Sequence, residues 1–301
     1  MRTIGFLGLG RMGAGMSARL LPWCAQNHAR LLVHDIAPEA VAALVALGAE
    51  AARSAAALGE RCDIVFLSLP TPDIVREALL GEGGILSSGA PRIICDLSTS
   101  GPRLAAELAQ ALEPGNIASF DAPVSGGIAK AHDGTLSLMV GGPEKLYPDL
   151  RPLLECMGTP TYMGPIPGAG QTMKLVNNLL GAVAIGVTAE GMAFGIKAGL
   201  EPNKMIEVLN HSTGVNSATR DKWPKSVLPR TFDFGFAAAL SLKDTKLLME
   251  EAAAAGVPLP LGEVILSYLQ RTLDAYGMQA DFTAIAKVVE ADAGLDPERC
   301  K

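Results

Sequence analysis

The chain is poor in aromatic side chains. Phe, Trp and Tyr make up 5% of its 301 residues, so its core cannot be built on large rings. Charge is also sparse, with 19% of residues Asp, Glu, Lys or Arg and a net charge of −6. The 25 basic residues are scattered. That leaves no electrostatic footprint for nucleic acid or for an anionic membrane. The five cysteines (Cys24, Cys62, Cys95, Cys156 and Cys300) are odd in number, far apart and without a CxxC pair. They read as reduced intracellular thiols, mostly small core residues, and exclude a disulfide framework. The four histidines have no second ligand at useful spacing, so no metal site is expected. An uninterrupted apolar stretch, Leu179–Ala189, ends at Glu190 and is too short to span a bilayer. Glycines and Arg11 break the N-terminal apolar run where a secretory leader would need a longer one. A cytoplasmic location without membrane contact is the expectation.

Small and aliphatic residues are abundant instead. Apolar residues reach 49%, much of it Ala, and there are 33 glycines. This composition favours closely packed helices and a small-residue α/β core. The length suggests about two domains. In the first half, short apolar runs alternate with helical stretches. Strands are expected at 3–7, 30–34, 63–69, 91–96, 118–121 and 136–140, with helices over 11–23 and 38–47 between the first of them. Such alternation implies a doubly wound, mainly parallel sheet. The turn-rich run GPIPGAG at 164–170 marks a boundary. The expected domains are 1–165 and 166–301, the second all-helical. Its helices are expected over 171–197, 202–209, 217–228, 236–255, 258–276 and 282–290, with Pro202 and Pro258 in first turns and Asp281 as an N-cap. Gly and Ala recur along the first of these helices and suggest positions where another helix approaches closely.

Gly8-Leu9-Gly10-Arg11-Met12-Gly13 is a GxGxxG motif. It directly follows the first strand and opens a helix, and Asp35 ends the next strand at the spacing expected of a dinucleotide cradle. The first two glycines allow a tight turn and close approach of backbone to pyrophosphate. Gly13 lets helix and strand pack. The helix N-terminus offers unpaired N–H groups to phosphate. Asp35 can accept both ribose hydroxyls of NAD and would repel a 2′-phosphate. Ile36, Ala37, Pro38 and Glu39 add no cation to pair with such a phosphate, so NAD is the expected cofactor.

Two further segments carry candidate chemistry. Asp121-Ala-Pro-Val-Ser125-Gly126-Gly127 can aim N–H groups and one hydroxyl at a carboxylate, though the same residues also make an ordinary turn. Gly168-Ala-Gly-Gln-Thr-Met-Lys174-Leu-Val-Asn-Asn178 opens the long helix. Lys174 and Asn178 are four apart and share a face. Lys174 could equally be a snorkelling side chain near a helix end. With no metal and no placed histidine, Lys174 is the remaining candidate base. An ordinary Lys titrates near 10.4, so burial in a cleft would have to depress it.

Six motifs occur in one order along essentially the whole chain: GLGRMG, the LSLP ending at Pro70, DLST (Asp96–Thr99), DAPVSGG with GTLSLMVGG, GAGQTMKLVNN and SLKD (Ser241–Asp244). The set resembles the 3-hydroxyisobutyrate dehydrogenase family of β-hydroxyacid dehydrogenases, more distantly the 6-phosphogluconate dehydrogenases. The resemblance implies an α/β Rossmann domain joined by a long helix to an all-α domain, in homodimers or homotetramers. It implies that Leu69, Pro70, Val75 and Thr99 line the nicotinamide and ribose, and that Lys243 closes over the cofactor with Asp244 orienting it. It implies that Ser125, Gly126 and Gly127 hold a small carboxylate substrate, that Lys174 is catalytic and that Asn178 positions substrate. The activity implied is hydride transfer between NAD and a small 3-hydroxy acid or its semialdehyde. Tartronate-semialdehyde reduction and a non-catalytic cofactor-binding scaffold are the alternatives. The family's hydroxyisobutyrate enzymes carry a Trp-containing segment after the helix that starts here at Pro202. This chain has 211–220 instead, where Asn216 and Arg220 either reach the substrate's far end or form a solvated helix start.

Asp35 generates the first prediction. Replacing Asp35 by Ser together with Ile36 by Arg should shift cofactor preference from NAD towards NADP, because a repelling carboxylate gives way to a cation. Steady-state kinetics with both cofactors check it; a wild type that already uses both equally would refute the argument.

Overall fold

The computed structural model describes residues 2–89 and 91–300. The chain divides into two compact units, one ending at Lys174 and one starting at Leu175. Among the described residues the first unit holds nine strands: β1 (Thr3–Leu7), β2 (Arg30–His34), β3 (Glu50–Ala51), β4 (Ile64–Leu67), β5 (Ile93–Asp96), β6 (Ala118–Asp121), β7 (Val124–Ser125), β8 (Leu136–Gly141) and β9 (Gly158–Gly164). Its helices are α1 (Gly13–Gln26), α2 (Pro38–Ala46), α3 (Ala55–Arg61), α4 (Pro72–Leu80), α5 (Pro102–Leu112), α6 (Gly127–Asp133) and α7 (Tyr147–Glu155). The sheet order is β3-β2-β1-β4-β5-β6-β8-β7, with β9 on the far side of β8. From β3 to β6 every pairing is parallel. This is the doubly wound order, with its switch point between β1 and β4.

The central strands are apolar on both faces, as a covered parallel sheet requires. Ile64 and Phe66 of β4 point into one core with Ile4, Phe6, Met16 and Leu20, while Val65 and Leu67 point into the other with Leu32, Leu79 and Ile94. Helix starts follow local chemistry. Ser54 and Thr71 accept from the N–H groups of Ala57 and Ile74 as caps of α3 and α4, and Pro opens α2, α4 and α5. Burial pushes the thiols of Cys24 and Cys62 up to about 11 and about 12.

Beyond β6 the sheet departs from the expected pattern. β8 runs antiparallel to β6, and the short β7 returns antiparallel along β8. β9, a seven-residue parallel partner of β8, was not expected. Its sequence GTPTYMG has little apolar content, and its side chains are at most half-buried. An outer strand pairs through its backbone, so it needs no apolar alternation to form.

The second unit is helical. α8 (Ala169–Lys197) starts in the first unit and continues into it. It is followed by α9 (Pro202–Asn210), a π-helical segment Ala218–Val227, α10 (Ala238–Ala254), α11 (Pro260–Tyr276) and α12 (Ile285–Asp292). The helix expected over 217–228 is thus π-helical, with Leu228 N–H donating to the Trp223 carbonyl. Pro224 lies inside it and can donate no backbone hydrogen bond. α11 starts at Pro260, not Pro258. Leu259, held by the following proline, takes φ −125°, ψ 70° and cannot be helical. Asp281 caps as expected, accepting from Thr283 N–H at 3.0 Å.

By length and composition α8 could cross a bilayer, but 56% of its most apolar window is buried in the protein. The stretch read as too short belongs to a longer apolar helix with a packed face. Ala182, Ile185, Ala189, Met192, Ala193 and Ile196 enter the helical core. Two of the small-residue positions do admit a neighbour: a Cβ on Gly186 would lie 2.6 Å from Ile265 Cδ1 of α11, and one on Gly195 2.2 Å from Met205 Cε of α9. Gly181 and Gly191 have nothing within 4 Å. Gly186→Leu should therefore overpack the α8–α11 contact and cost about 1–3 kcal/mol. A urea titration should show a lowered midpoint, and an unchanged midpoint would remove the seam.

Candidate active site

The cradle sits at the switch point, where the loops leaving β1 and β4 meet. Gly8 has φ +94°, and a Cβ there would lie 2.3 Å from the Ser68 carbonyl. A Cβ on Gly13 would lie 1.9 Å from the Gly8 carbonyl, so the first turn of α1 rests directly on the turn after β1. Gly10 differs. It is exposed, and nothing lies within 4 Å of where its Cβ would be. Two glycines are required by the protein's own packing, and the third leaves free space at a helix N-terminus whose first N–H groups have no intrahelical partner. These residues fit a dinucleotide pyrophosphate. Arg11 is exposed, Met12 half-buried and Leu9 buried. Asp35 stands beside the cradle, its carboxylate accepting from the N–H groups of Leu9 at 2.5 Å and Ala37 at 2.8 Å.

On the β4 and β5 side, Leu69 and Thr99 are half-buried and Pro70 is exposed. Leu69 N–H donates to Ser98 Oγ at 2.9 Å, which joins the two loops. Val75 is fully buried and packs α4 against Leu67 and Leu79 in the core. Ser125 pairs with Ser137 across β7 and β8. Gly126, at φ +143°, turns the chain from that strand into α6, which starts at Gly127.

The sequence reading missed a buried polar network around the start of α8. Asp121, at the end of β6, accepts from the N–H groups of Gly168 and Gln171, both at 2.8 Å. Burial pushes its carboxyl above the usual range, the two N–H groups pull it back, and Asp96 pushes it up further. Cβ atoms on Gly141 and Gly170 would lie 2.7 and 2.8 Å from the same carboxylate. Asp96 accepts from Ser98 N–H at 2.9 Å and Ser100 Oγ at 2.6 Å. Gln171 bonds the peptide groups of Ser98, Ser100 and Gly101. Lys174, the next residue of α8 on this side, is 8% exposed.

In the second unit, Asn178, Lys243 and Asp244 come together. Asn178 Nδ2 donates to Asp244 Oδ2 at 2.8 Å, and Lys243 Nζ lies 3.2 Å from Asp244 Oδ1. Asp244 is buried and holds both side chains. Asn216 is occupied elsewhere: its Oδ1 accepts from Ala218 and Thr219 N–H and its Nδ2 donates to Thr188 Oγ1 and Gly214 O. Arg220 is exposed and pairs with Asp221. Of the two readings of that segment, the helix start is the one seen.

Fold and cradle define an NAD-binding dehydrogenase of the Rossmann type. Residues 3–164 match the NAD-binding domain of 6-phosphogluconate dehydrogenase, and residues 168–289 match the family described as NAD-binding of NADP-dependent 3-hydroxyisobutyrate dehydrogenase. The chain belongs to the 3-hydroxyisobutyrate dehydrogenase family, NAD-dependent β-hydroxyacid dehydrogenases acting on CH–OH groups. It is 38% identical to a 3-hydroxyisobutyrate dehydrogenase of Pseudomonas aeruginosa, over 96% of this chain and 98% of that one. It is 37% identical to an NAD-dependent L-serine dehydrogenase of the same organism, over 98% and 100%. A solved structure of the Mycobacterium tuberculosis 3-hydroxyisobutyrate dehydrogenase with L-serine superimposes with a TM-score of 0.88 at 33% identity, covering 96% of this chain and 99% of that one.

The contrast among the glycines generates a prediction. Gly10→Ala should leave thermal stability near wild type but weaken NADH binding, because the added methyl enters free space meant for phosphate. Gly13→Ala should lower both, because it strikes the Gly8 carbonyl. Thermal melts with and without NADH separate the two; equal destabilisation by both variants would contradict it.

Proposed function

We propose that the chain oxidises the hydroxyl of a small 3-hydroxy acid to the semialdehyde, or runs the reverse reduction, with Lys174 as the acid–base group. The observation that carries this reading is Lys174 itself: a lysine only 8% exposed, four residues before Asn178 on one helix face. Lysines are rarely buried without a specific task. Ser125, with the backbone of Gly126 and Gly127, holds the substrate carboxylate through O–H and N–H donors. Lys174, as the neutral amine, takes the hydroxyl proton. Asn178, fixed by Asp244, orients the reacting oxygen. Bound NAD supplies the hydride acceptor, held by the Gly8–Gly13 turn and Asp35 with Leu69, Pro70 and Thr99 alongside. General-base catalysis of this kind is worth roughly 10²–10⁴-fold.

The relatives act on 3-hydroxyisobutyrate and L-serine, which share a carboxylate and a 3-hydroxyl and differ at carbon 2. Asn216 is engaged in a helix start, which supports an apolar group at carbon 2, and 3-hydroxyisobutyrate is the substrate we favour. The working assembly is a homodimer or homotetramer. Leu180, Val187 and Phe194 are 64%, 57% and 77% exposed, recur every seven residues and so share one face of α8 that a second copy of the chain would cover.

Absorbance at 340 nm with a panel of 3-hydroxyisobutyrate, L-serine, tartronate semialdehyde and a neutral alcohol of matching shape tests the reading. The acids should turn over and the neutral alcohol should not. Oxidation should quicken towards alkaline pH, where the amine is neutral. Lys174→Ala should lose at least about 10²-fold in kcat while still binding NADH. Lys174→Arg should not rescue it, because a guanidinium keeps its proton. Ser125→Ala should raise KM by the worth of a hydrogen bond to a charged group, about 1.5–3 kcal/mol. Substantial turnover by the Arg variant would exclude the base role.

A further inference from the structure

Gln171 is wholly buried in the first turn of α8. Its Oε1 accepts from the N–H groups of Ser100 and Gly101 at 3.0 and 3.1 Å, and its Nε2 donates to the Ser98 carbonyl at 2.8 Å. The Ser98 carbonyl and the Ser100 N–H belong to the two peptide groups on either side of Thr99. One side-chain amide therefore grips the Thr99 turn from both sides. The backbone N–H of Gln171 is bound at the same time by Asp121.

We infer that Gln171 is a positioning residue, coupling the Thr99 turn after β5 to the helical turn that carries Lys174. The inference rests on the reading of Lys174 as the acid–base group. Filling a core does not require an amide: a Met would occupy a similar volume without two polar atoms to satisfy, and burying them is costly unless each is bonded. Holding the helix start does not require it either, because Asp121 already takes the N–H groups of Gly168 and Gln171. What the amide adds is a link to a second loop. Thr99 and Lys174 are thereby referenced to one side chain, and Lys174 lies three residues further along the same helix. Displacing a reacting group by about 1 Å can cost on the order of 10²-fold in rate.

The test uses the full-length enzyme with NAD and the hydroxy acid that turns over best. Gln171→Met keeps the volume and removes all three hydrogen bonds. It should lower kcat about 10–100-fold, with KM for the acid close to wild type, after correction for the folded fraction measured by thermal melts. Gln171→Glu adds a readout that a structural role would not produce. As a neutral acid the new side chain can still accept from the two N–H groups and donate to Ser98, and as a carboxylate it loses the donor. The charged groups facing this joint are Asp96 on the β5 side and Asp121 on the β6 side, with Lys174 on the same helix. Both aspartates disfavour a third negative charge. Relative to wild type at the same pH, the folded fraction of Gln171→Glu should therefore keep its kcat at acidic pH and fall progressively below it as pH rises. Full kcat in folded Gln171→Met, or a Gln171→Glu profile parallel to wild type, overturns the inference. Lys174→Ala, measured alongside, keeps the two ideas apart. Retained turnover there removes the base reading itself. Lost turnover there with full kcat in Gln171→Met removes only the positioning role.

Discussion

A single carboxylate at the end of one strand holds the start of a 29-residue helix. The first N–H groups of any helix lack intrahelical partners and carry the positive end of its dipole. Here two of the N–H groups at that end are received by Asp121. The arrangement has a cost, since the carboxylate is buried and its pKa is driven upward. The N–H groups of Gln171 and Gly168 offset part of that cost by favouring the charged form. Gly141 and Gly170 are glycines where any Cβ would strike the carboxylate oxygens. The motifs DAPVSGG, GTLSLMVGG and GAGQTMK, separate in sequence, are thus parts of one joint between β6, β8 and α8. Lys174 inherits its position from that joint.

Much of the first unit was legible because its constraints are local. A GxGxxG after an apolar strand and an Asp closing the next strand specify a turn chemistry that few other arrangements satisfy. The structure assigns each glycine a distinct mechanical reason. The central strands were visible for the same kind of reason: burial on both faces leaves an unbroken apolar run. β9 was invisible because an outer strand with Pro and Thr can pair through backbone alone. The orientation of β8 was invisible because an apolar run does not state its direction.

The candidate site residues were legible as residue types, and the groups that support them were not. Ser125, Lys174 and Asn178 stand out because polar residues on Gly-rich loops and apolar helices need a reason. Gln171 and Asp121 belong to the same motifs but do their work through backbone groups of distant loops, and no spacing in the sequence announces a partner about seventy residues away, as between Gln171 and Ser98. Val75 was named from the family's motifs alone; its packing in the core at the start of α4 is what any apolar residue at that helical position would do. Asn216 illustrates the competition that Asn always poses: the same amide that could meet a substrate is also among the best groups for starting a helix, and here the helix has it.

The helix that carries Lys174 also shows why hydropathy alone misleads. Its apolar length meets the requirement for a membrane span, yet two different demands produce that composition. On one side Ala182, Ile185, Ala189, Met192 and Ile196 fill a core, and Gly186 and Gly195 are small because Ile265 and Met205 press against them. On another side Leu180, Val187 and Phe194 face outward at seven-residue intervals. A lipid-facing helix would have no reason to open with a buried Gln, a buried Lys and two Asn. Gln171 is satisfied by Asp121 and the β5 loop, Asn178 by Asp244, and the apolar residues follow. The gradient along the helix is that of an element with polar, site-forming turns at one end and a packed stem beyond.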